Sequence, residues 1–114
     1  MTTNTAEPID LPTPVAAYFA ADTTGAEAVA QCFIDGAVVI DEQQEYRGRT
    51  AIARWKAEAS AKFRYSVERL GVHVSGDQTT VNGRVTGDFP GSPVELRYAF
   101  TLDSEKISRL AISA

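Results

Sequence analysis

The sequence predicts a single α+β domain in which three helices pack on one face of a strongly bent, mostly antiparallel sheet. Apolar residues recur at helical spacing in the first half of the chain and at every second position in the second half. Helical segments that precede a run of strands, instead of alternating with them, are typical of α+β domains. The length of 114 residues allows one hydrophobic core and is too short for two.

The N-terminal segment is rich in Thr, Pro and acidic side chains, which bury too little apolar surface to offset chain entropy. We therefore expect a flexible arm at residues 1–12 and one domain at residues 13–114. A first helix is predicted at 14–22, because Thr13 suits a helix cap and Pro14 suits the first helical position. One face of this helix should carry Val15, Tyr18, Phe19 and Asp22.

A second helix is predicted at 26–34. The segment Thr24-Gly25-Ala26-Glu27 has the form of a capping box at its start, and Asp35-Gly36 supplies turn chemistry after its end. The apolar, β-branched run at residues 37–40 then predicts a short buried strand. Asp41 follows this strand, where its carboxylate can point inward.

A third helix is predicted at 50–62, after a polar loop or hairpin edge at 42–48 whose only large side chain is Tyr46. Trp55 falls on the apolar face of this helix and should be a central core residue. The opposite face is expected to lie in water. It carries Arg54, Lys56, Glu58 and Lys62.

Four antiparallel strands are predicted after Arg64, because apolar and polar residues alternate from there to the end of the chain. The apolar set changes phase at residues 69–71, which predicts a bulge or bend. Turns are expected at Gly76-Asp77, at residues 90–93 and at Ser104-Glu105.

The composition argues against some classes of binding partner. A formal charge of -4 and an isoelectric point near 4.9, with eleven scattered basic residues, argue against a nucleic-acid or anionic-membrane surface. Cys32 is the only cysteine and no Cys/His cluster has metal-ligand spacing, so no disulfide, metal or cofactor is predicted. No segment approaches the roughly 20 apolar residues that span a bilayer, and the first residues lack the order of a signal peptide. We expect a cytoplasmic protein.

Five segments occur in a characteristic order: Ala26-Glu27-Ala28-Val29, Phe33-Ile34-Asp35-Gly36-Ala37-Val38-Val39-Ile40-Asp41, Tyr46-Arg47-Gly48, Ala51-Ile52 and Trp55. Over residues 14–113 this order resembles the SnoaL-like group of the nuclear transport factor 2-like superfamily. The resemblance implies a cone-shaped α+β barrel, commonly dimeric, with an apolar cavity between helices and sheet. Members include ketosteroid isomerase, polyketide cyclases, dehydratases, epoxide hydrolases and proteins without catalysis, so the fold does not select the function.

The resemblance also implies roles for individual residues. Asp41 takes the position of the general-base Asp of ketosteroid isomerase. The position of that enzyme's oxyanion-hole Tyr falls at Ala17, with Tyr18 one residue along and about 100° away around the helix. The protonated acid that partners this Tyr falls near Tyr98, whose phenol would still donate a hydrogen bond.

Two functions are left open by the sequence. In the first, the protein is an isomerase, cyclase or dehydratase, with Asp41 as general base and with Tyr98 or Tyr46 polarising an oxygen of a small apolar substrate. In the second, Asp41 is a solvated loop carboxylate beside Glu42, and the protein holds an apolar ligand or another protein without catalysis. The ligand contacts expected in the cavity are Tyr18, Phe33, Tyr46, Trp55, Phe63, Tyr65 and Phe100.

His73 is the only side chain whose ordinary pKa lies near neutrality, which makes it a candidate base. It alternates out of phase with Val72 and Val74, however. We therefore expect it to face away from the side of the sheet on which those two residues lie.

A homodimer is predicted from the resemblance together with the pattern of the last strands. The helices should cover one face of the sheet. The other face is polar and leaves room for a second copy of the chain. It carries Arg84, Thr86, Arg97 and Thr101.

Overall fold

The structure is a computed structural model that describes residues 11–114. Its helices are α1 (Thr13–Asp22), α2 (Ala26–Ala30) and α3 (Arg49–Lys62). Its strands are β1 (Phe33–Asp41), β2 (Gln44–Arg47), β3 (Tyr65–Ser75), β4 (Gln78–Gly87), β5 (Val94–Asp103) and β6 (Lys106–Ser113).

The six strands form one sheet in the order β2-β1-β6-β5-β4-β3. Strands β3 to β6 follow one another as antiparallel neighbours, and β1 pairs antiparallel with β2 but parallel with β6. The parallel pair joins the first and last strands of the sheet, and everything between β1 and β6 serves as its crossover connection. The predicted α+β architecture, helices against a curved and mostly antiparallel sheet, is confirmed.

A bulge bends the sheet where the alternation of the sequence changes phase. The register of β3 against β4 shifts between Arg69 and Gly71, so the bend predicted at residues 69–71 is confirmed. A second shift lies in β1 between Phe33 and Val38. Bulges increase the local twist of a strand, and these two help to curve the sheet around the helices.

The predicted caps of the first two helices are wrong. Helix α1 begins at Thr13 itself, with Pro12 as the preceding cap residue, and no side chain caps it. Helix α2 is preceded by Gly25 and has no capping box. The hydroxyl of Thr24 instead donates to the carbonyl of Ala20, at 3.3 Å, because Thr24 lies in the turn that closes α1.

Helix α2 is shorter than predicted and β1 is longer. Asp35 and Gly36 do not turn the chain but lie inside β1, in the irregular stretch between the pairing of Phe33 with β6 and the pairing that resumes at Val38. This pairing outweighs the local turn preference of an Asp-Gly sequence. The tight turn comes after Asp41 instead, at Glu42 and Gln43, whose positive φ angles of 53° and 68° suit a two-residue hairpin.

The core lies between the helices and the concave face of the sheet. Trp55 is buried there, as predicted, and so are both aromatic residues of α1. Edge-to-face aromatic contacts connect α1 to the sheet, with 5.4 Å between the ring centroids of Tyr18 and Phe100 and 5.3 Å between those of Phe19 and Tyr98. These contacts fix the position of α1 over β5.

The outer face of the sheet is polar. Arg84 on β4 lies between Glu68 on β3 and Glu95 on β5, with nitrogen–oxygen distances of 3.5 and 3.3 Å. The homodimer predicted for this chain relies on that face and stays a prediction. In the part of the chain that the structure describes, no helix is both long and apolar enough to cross a membrane.

Most of the predicted N-terminal arm, residues 1–10, lies outside the described residues. The two described residues of that segment are ordered against the domain. Leu11 packs against the core, and the carbonyl of Pro12 accepts the first hydrogen bonds of α1, from Val15 and Ala16 at 2.9 Å each.

Candidate functional site

A cavity of about 690 Å³ opens between the helices and the curved sheet. This volume lies within the range of small-molecule sites in proteins. Its walls come from α1, α3, the end of β1, strands β3 to β6 and the turn before β5, and most of its side chains are apolar or aromatic. Of the residues singled out from the sequence, it is lined by Tyr18, Asp41, Trp55, Phe63, Tyr65 and Tyr98.

Three predicted ligand contacts are not on the cavity wall. Phe33 and Phe100 are fully enclosed in the core behind the ring of Tyr18, with centroid distances of 6.2 and 5.4 Å from it. Tyr46 lies on β2 and packs against the indole of Trp55 at 6.1 Å, outside the cavity. The sequence analysis placed Phe33 in a helix, Tyr46 in a polar loop and Phe100 on the inward face of a strand. None of these assignments separates packed core from cavity wall.

His73 is exposed on β3, opposite Thr80 on β4, and does not line the cavity. The alternation argument therefore placed it correctly away from the concave face. Within residues 11–114, no three side chains among His, Cys, Asp and Glu are grouped so as to hold a metal ion.

Asp41 lies at the last position of β1, where that strand has β2 on one side and β6 on the other. The indole N–H of Trp55 donates a hydrogen bond to its carboxylate Oδ2 at 2.9 Å. The residue is half-buried, and the hairpin turn that follows carries the exposed Glu42 and Gln43 at the cavity mouth. The strand end and the indole together fix one oxygen of the carboxylate.

A second charged group in the cavity was missed by the sequence analysis, which placed Lys56 on the wet face of α3. Lys56 is buried, with 5% of its surface exposed. Its Nζ lies 2.8 Å from Asp22 Oδ1 and donates to the hydroxyl of Tyr65 at 3.1 Å. The Tyr65 hydroxyl in turn donates to Asp22 Oδ1 at 3.1 Å.

Lys56 was misplaced because it lies next to Trp55 in a helix whose partners wrap around two of its sides. Helix α2 and strands β1 and β2 pack against α3, and Asp22 of α1 reaches Lys56, so the buried arc is wider than the apolar stripe. The sequence did contain a signal for this burial, at Asp22, the ion-pair partner of Lys56. Asp22 shares the inward face of α1 with Tyr18, and a buried carboxylate requires a cation or donors beside it.

The charge on Lys56 is stabilised by its surroundings. Burial alone would lower the pKa of its ammonium. The Tyr18 phenol, the Asp22 carboxylate, the Tyr65 phenol and the hydrogen bond to Asp22 outweigh burial, and the pKa of Lys56 is raised. The ammonium also lies 4.5 Å from the centroid of the Trp55 ring, within cation–π distance.

Two phenols, from Tyr18 and Tyr98, also line the cavity. Burial raises the pKa of both, so both stay protonated and can donate hydrogen bonds. Gly83 makes room for Tyr98, because a Cβ atom there would lie 3.2 Å from the ring. Of the two neighbouring residues considered in the first helix, Ala17 is exposed and Tyr18 lines the cavity.

The charged groups of the cavity meet at one side chain. The edge of the Trp55 indole donates to Asp41, and the same ring lies under the ammonium of Lys56. The Asp41 carboxylate and the Lys56 ammonium are thus separated by roughly the width of the Trp55 ring. The largely apolar cavity therefore holds a proton acceptor, Asp41, and a cation, Lys56.

These features define a small α+β protein with an open, largely apolar cavity that holds a few polar groups. The model of the SnoaL-like domain family matches residues 15–109. A proposed polyketide cyclase from Sinorhizobium meliloti is 42% identical over 91% of this chain and 96% of that chain, with a TM-score of 0.87. The chain belongs to the SnoaL-like domain family. No match was found among curated proteins.

More distant structures share the fold. A hypothetical protein with a ketosteroid isomerase-like fold from Catenulispora acidiphila, solved with trimethylamine, is 23% identical and covers 92% of this chain and 87% of that one, with a TM-score of 0.83. The epoxide hydrolase/cyclase-like enzyme of pyran ring formation in salinomycin is 17% identical and covers 87% and 85%, with a TM-score of 0.75. At such identities the likeness shows the fold alone.

Proposed function

We propose that the protein is an acid–base enzyme of the isomerase or cyclase kind, acting on a small, largely apolar molecule that carries an oxygen function. The observation that carries this proposal is the Asp41 carboxylate in the cavity wall, held through Oδ2 by the Trp55 indole at 2.9 Å. A carboxylate with one neutral donor can gain and lose a proton without breaking an ion pair.

The other cavity groups have roles that suit this chemistry. Asp41 accepts a proton from the substrate and returns it at a second position. The phenols of Tyr98 and Tyr18 donate hydrogen bonds to the substrate oxygen. Trp55 orients the carboxylate, and the apolar walls, among them Phe63, keep water from the reacting atoms.

The comparisons support this class of reaction. The relative that is 42% identical is described as a proposed polyketide cyclase, and the salinomycin enzyme is described as epoxide hydrolase/cyclase-like. Both descriptions concern small organic molecules that carry oxygen functions. We carry the reaction class to this chain because Asp41 is suitably placed for proton transfer.

One observation favours a second function, the holding of an apolar ligand without catalysis. Asp22, a second carboxylate that lines the cavity, forms an ion pair with Lys56 and accepts a hydrogen bond from the Tyr65 hydroxyl. It is therefore not free to act as the acid that complements Asp41. In this alternative the cavity binds a ligand and releases it unchanged.

Turnover by an Asp41→Asn variant separates the two functions. Small apolar ketones, lactones and epoxides are first screened for compounds that raise the melting temperature of the wild-type protein. Each compound that binds is then incubated with both proteins, and its conversion is followed by chromatography. We expect Asp41→Asn to bind the same compounds and to lose turnover by about 100-fold or more, because the amide cannot accept the proton.

The matched control is Glu45→Gln, which removes the same charge from an exposed side chain on β2 that contacts Arg47 and lies outside the cavity. Its turnover should equal that of the wild type. Compounds that bind but are never converted by the wild type, or an Asp41→Asn variant with full turnover, would reject the enzyme proposal and leave the ligand-holding function.

A further inference from the structure

The hairpin turn at the cavity mouth is made of residues that its backbone geometry disfavours. Glu42 and Gln43 join β1 to β2, and their φ angles of 53° and 68° place both central residues of a two-residue turn in the left-handed region. Such turns favour Asn-Gly, because other side chains crowd the backbone at positive φ. The sequence of this turn therefore costs stability that Asn-Gly would recover.

The other hairpin turns of the domain differ in this respect. The turn between β3 and β4 has a glycine, Gly76, at its positive φ of 61°. The turn between β5 and β6 has one strained residue, Ser104, at 58°. Within residues 11–114, two consecutive non-glycine residues have positive φ only at Glu42 and Gln43, and both of these line the cavity.

The strain of this turn is not explained by contacts of its side chains. Asp41, just before the turn, accepts a hydrogen bond from Trp55, but no described residue forms a hydrogen bond or an ion pair with the side chain of Glu42 or Gln43. Both side chains are exposed at the rim of the cavity. Backbone strain clusters at functional sites, and here the position leaves contact with a ligand as the function.

We propose that Glu42 and Gln43 are specificity-determining residues, which contact the outer end of the cavity ligand and favour a hydroxyl or ammonium group there. A carboxylate and an amide oxygen both accept hydrogen bonds from such groups. This inference rests on the proposed function only in that the cavity holds a small molecule. It does not depend on proton transfer by Asp41.

The charges of the cavity wall favour the same kind of ligand. Lys56 is paired with Asp22, so among the described lining residues the negative charges of Asp41 and Glu42 have no balancing cation. An anionic group at the rim would be repelled, whereas an N–H or O–H donor would be attracted. The ligand that fits has an apolar body inside the cavity and a hydrogen-bond donor at its outer end.

The test compares three probes that share one phenyl ring: 2-phenylethanol, protonated 2-phenylethylamine and methyl 2-phenylethyl ether, which has no donor. The fluorescence of Trp55, the only tryptophan and part of the cavity wall, follows their binding. The wild type should bind the alcohol and the ammonium more tightly than the ether. Glu42→Asn with Gln43→Gly should weaken the first two by about 3- to 10-fold and leave the ether unchanged.

The same double variant should be more stable than the wild type. Its turn has the residues that the backbone prefers, so its melting temperature should rise by about 4 °C. The matched control is Ser104→Gly, which relieves a positive φ angle in a turn outside the cavity. This control should also raise the melting temperature, but it should not change the affinity for any of the three probes.

Glu42→Gln separates charge from backbone strain. It keeps the strained turn and removes the carboxylate, so it should weaken the ammonium more than the alcohol at a nearly unchanged melting temperature.

Four results would overturn the proposal: a wild type without preference for the two donor probes, a stabilised double variant that retains this preference, a double variant no more stable than the wild type, or equal losses for all three probes. The proposed function is judged separately, by the turnover of Asp41→Asn, which none of these binding measurements decides.

Discussion

The two charged centres of the cavity contact the same indole ring but are built differently. Asp41 is half-buried at a strand end and accepts one hydrogen bond, from the neutral N–H of Trp55. Lys56 is 5% exposed and bonded to both Asp22 and Tyr65 within 3.1 Å. Among the described residues the first group has no ion-pair partner, whereas a change of charge at the second would break a buried ion pair.

This difference indicates a division of roles. A group that transfers protons must be stable in both of its charge states, and Asp41 has the simpler environment. A group that stabilises charge must keep its own, and the contacts around Lys56 connect α1, α3 and β3 through one cluster. Lys56 and its partners should therefore contribute to the free energy of unfolding as well as to the site. Asp41 should contribute little to that free energy.

The largest expected effect is the loss of stability on replacing Lys56 alone. Lys56→Met leaves Asp22 negatively charged, with only 9% of its side chain exposed and with Tyr65 as its remaining donor. Removing one partner of a buried ion pair typically costs about 3 to 5 kcal/mol in free energy of unfolding. Urea unfolding followed by circular dichroism measures this loss.

A double variant, Asp22→Asn with Lys56→Met, is the control for that measurement. It removes the uncompensated charge and should recover most of the lost stability, since no buried ion is then left without a partner and the new side-chain carbonyl still accepts from the Tyr65 hydroxyl. Lys62→Met, at an exposed position of α3, should change the free energy of unfolding by less than about 0.5 kcal/mol. A single variant as stable as the wild type would show that the pair contributes no net stability.

Alkaline pH should weaken the fold through the same region. The pKa of Lys56 is raised above 10.5 by its neighbours although burial opposes this, and burial raises the pKa values of Tyr18 and Tyr98 above 10.0. The unfolded chain thus releases these protons at a lower pH than the folded protein does. Their contribution to stability is complete below about pH 10 and is lost above it, with a slope of about 1.4 kcal/mol per pH unit for each group.

Urea unfolding at a series of pH values on both sides of pH 10.0 measures this slope. Tyr98→Phe keeps the aromatic ring but removes the ionisable hydroxyl. One of the groups with a raised pKa is then absent, so the decline of stability with pH should be shallower. A free energy of unfolding that stays constant or rises above pH 10 would contradict the assignment of these buried groups.

The fold could be predicted largely because its strongest signals are local. Helical spacing identified α1 and α3, alternation identified β3 to β6, and the change of phase at residues 69–71 marked the bulge. The boundary between α2 and β1 could not be predicted in this way. It depends on the pairing of Phe33 with Ile107, which lies far away in the sequence and outweighs the turn preference of Asp35-Gly36.

The site was only partly predictable for a related reason. Asp41 stood out because it follows a run of β-branched residues, and its hydrogen bond to Trp55 then joins two segments that the pattern had already placed inward. Lys56 did not stand out, because a lysine beside a tryptophan on a helix usually lies in water. Its burial depends on Asp22 and Tyr65, which come from two other elements and meet it only in the folded chain.

The smallest expected effect is the change in stability on neutralising Asp41. In Asp41→Asn the side-chain carbonyl still accepts from the indole of Trp55, and the half-buried charge no longer has to be desolvated, so these two changes oppose each other. The free energy of unfolding should move by less than about 1 kcal/mol in either direction. Because Trp55 is the only tryptophan, its fluorescence reports both unfolding and the change of acceptor at its N–H. A loss as large as that of Lys56→Met would mean that the carboxylate is held in place for packing, and its position would then no longer argue for proton transfer.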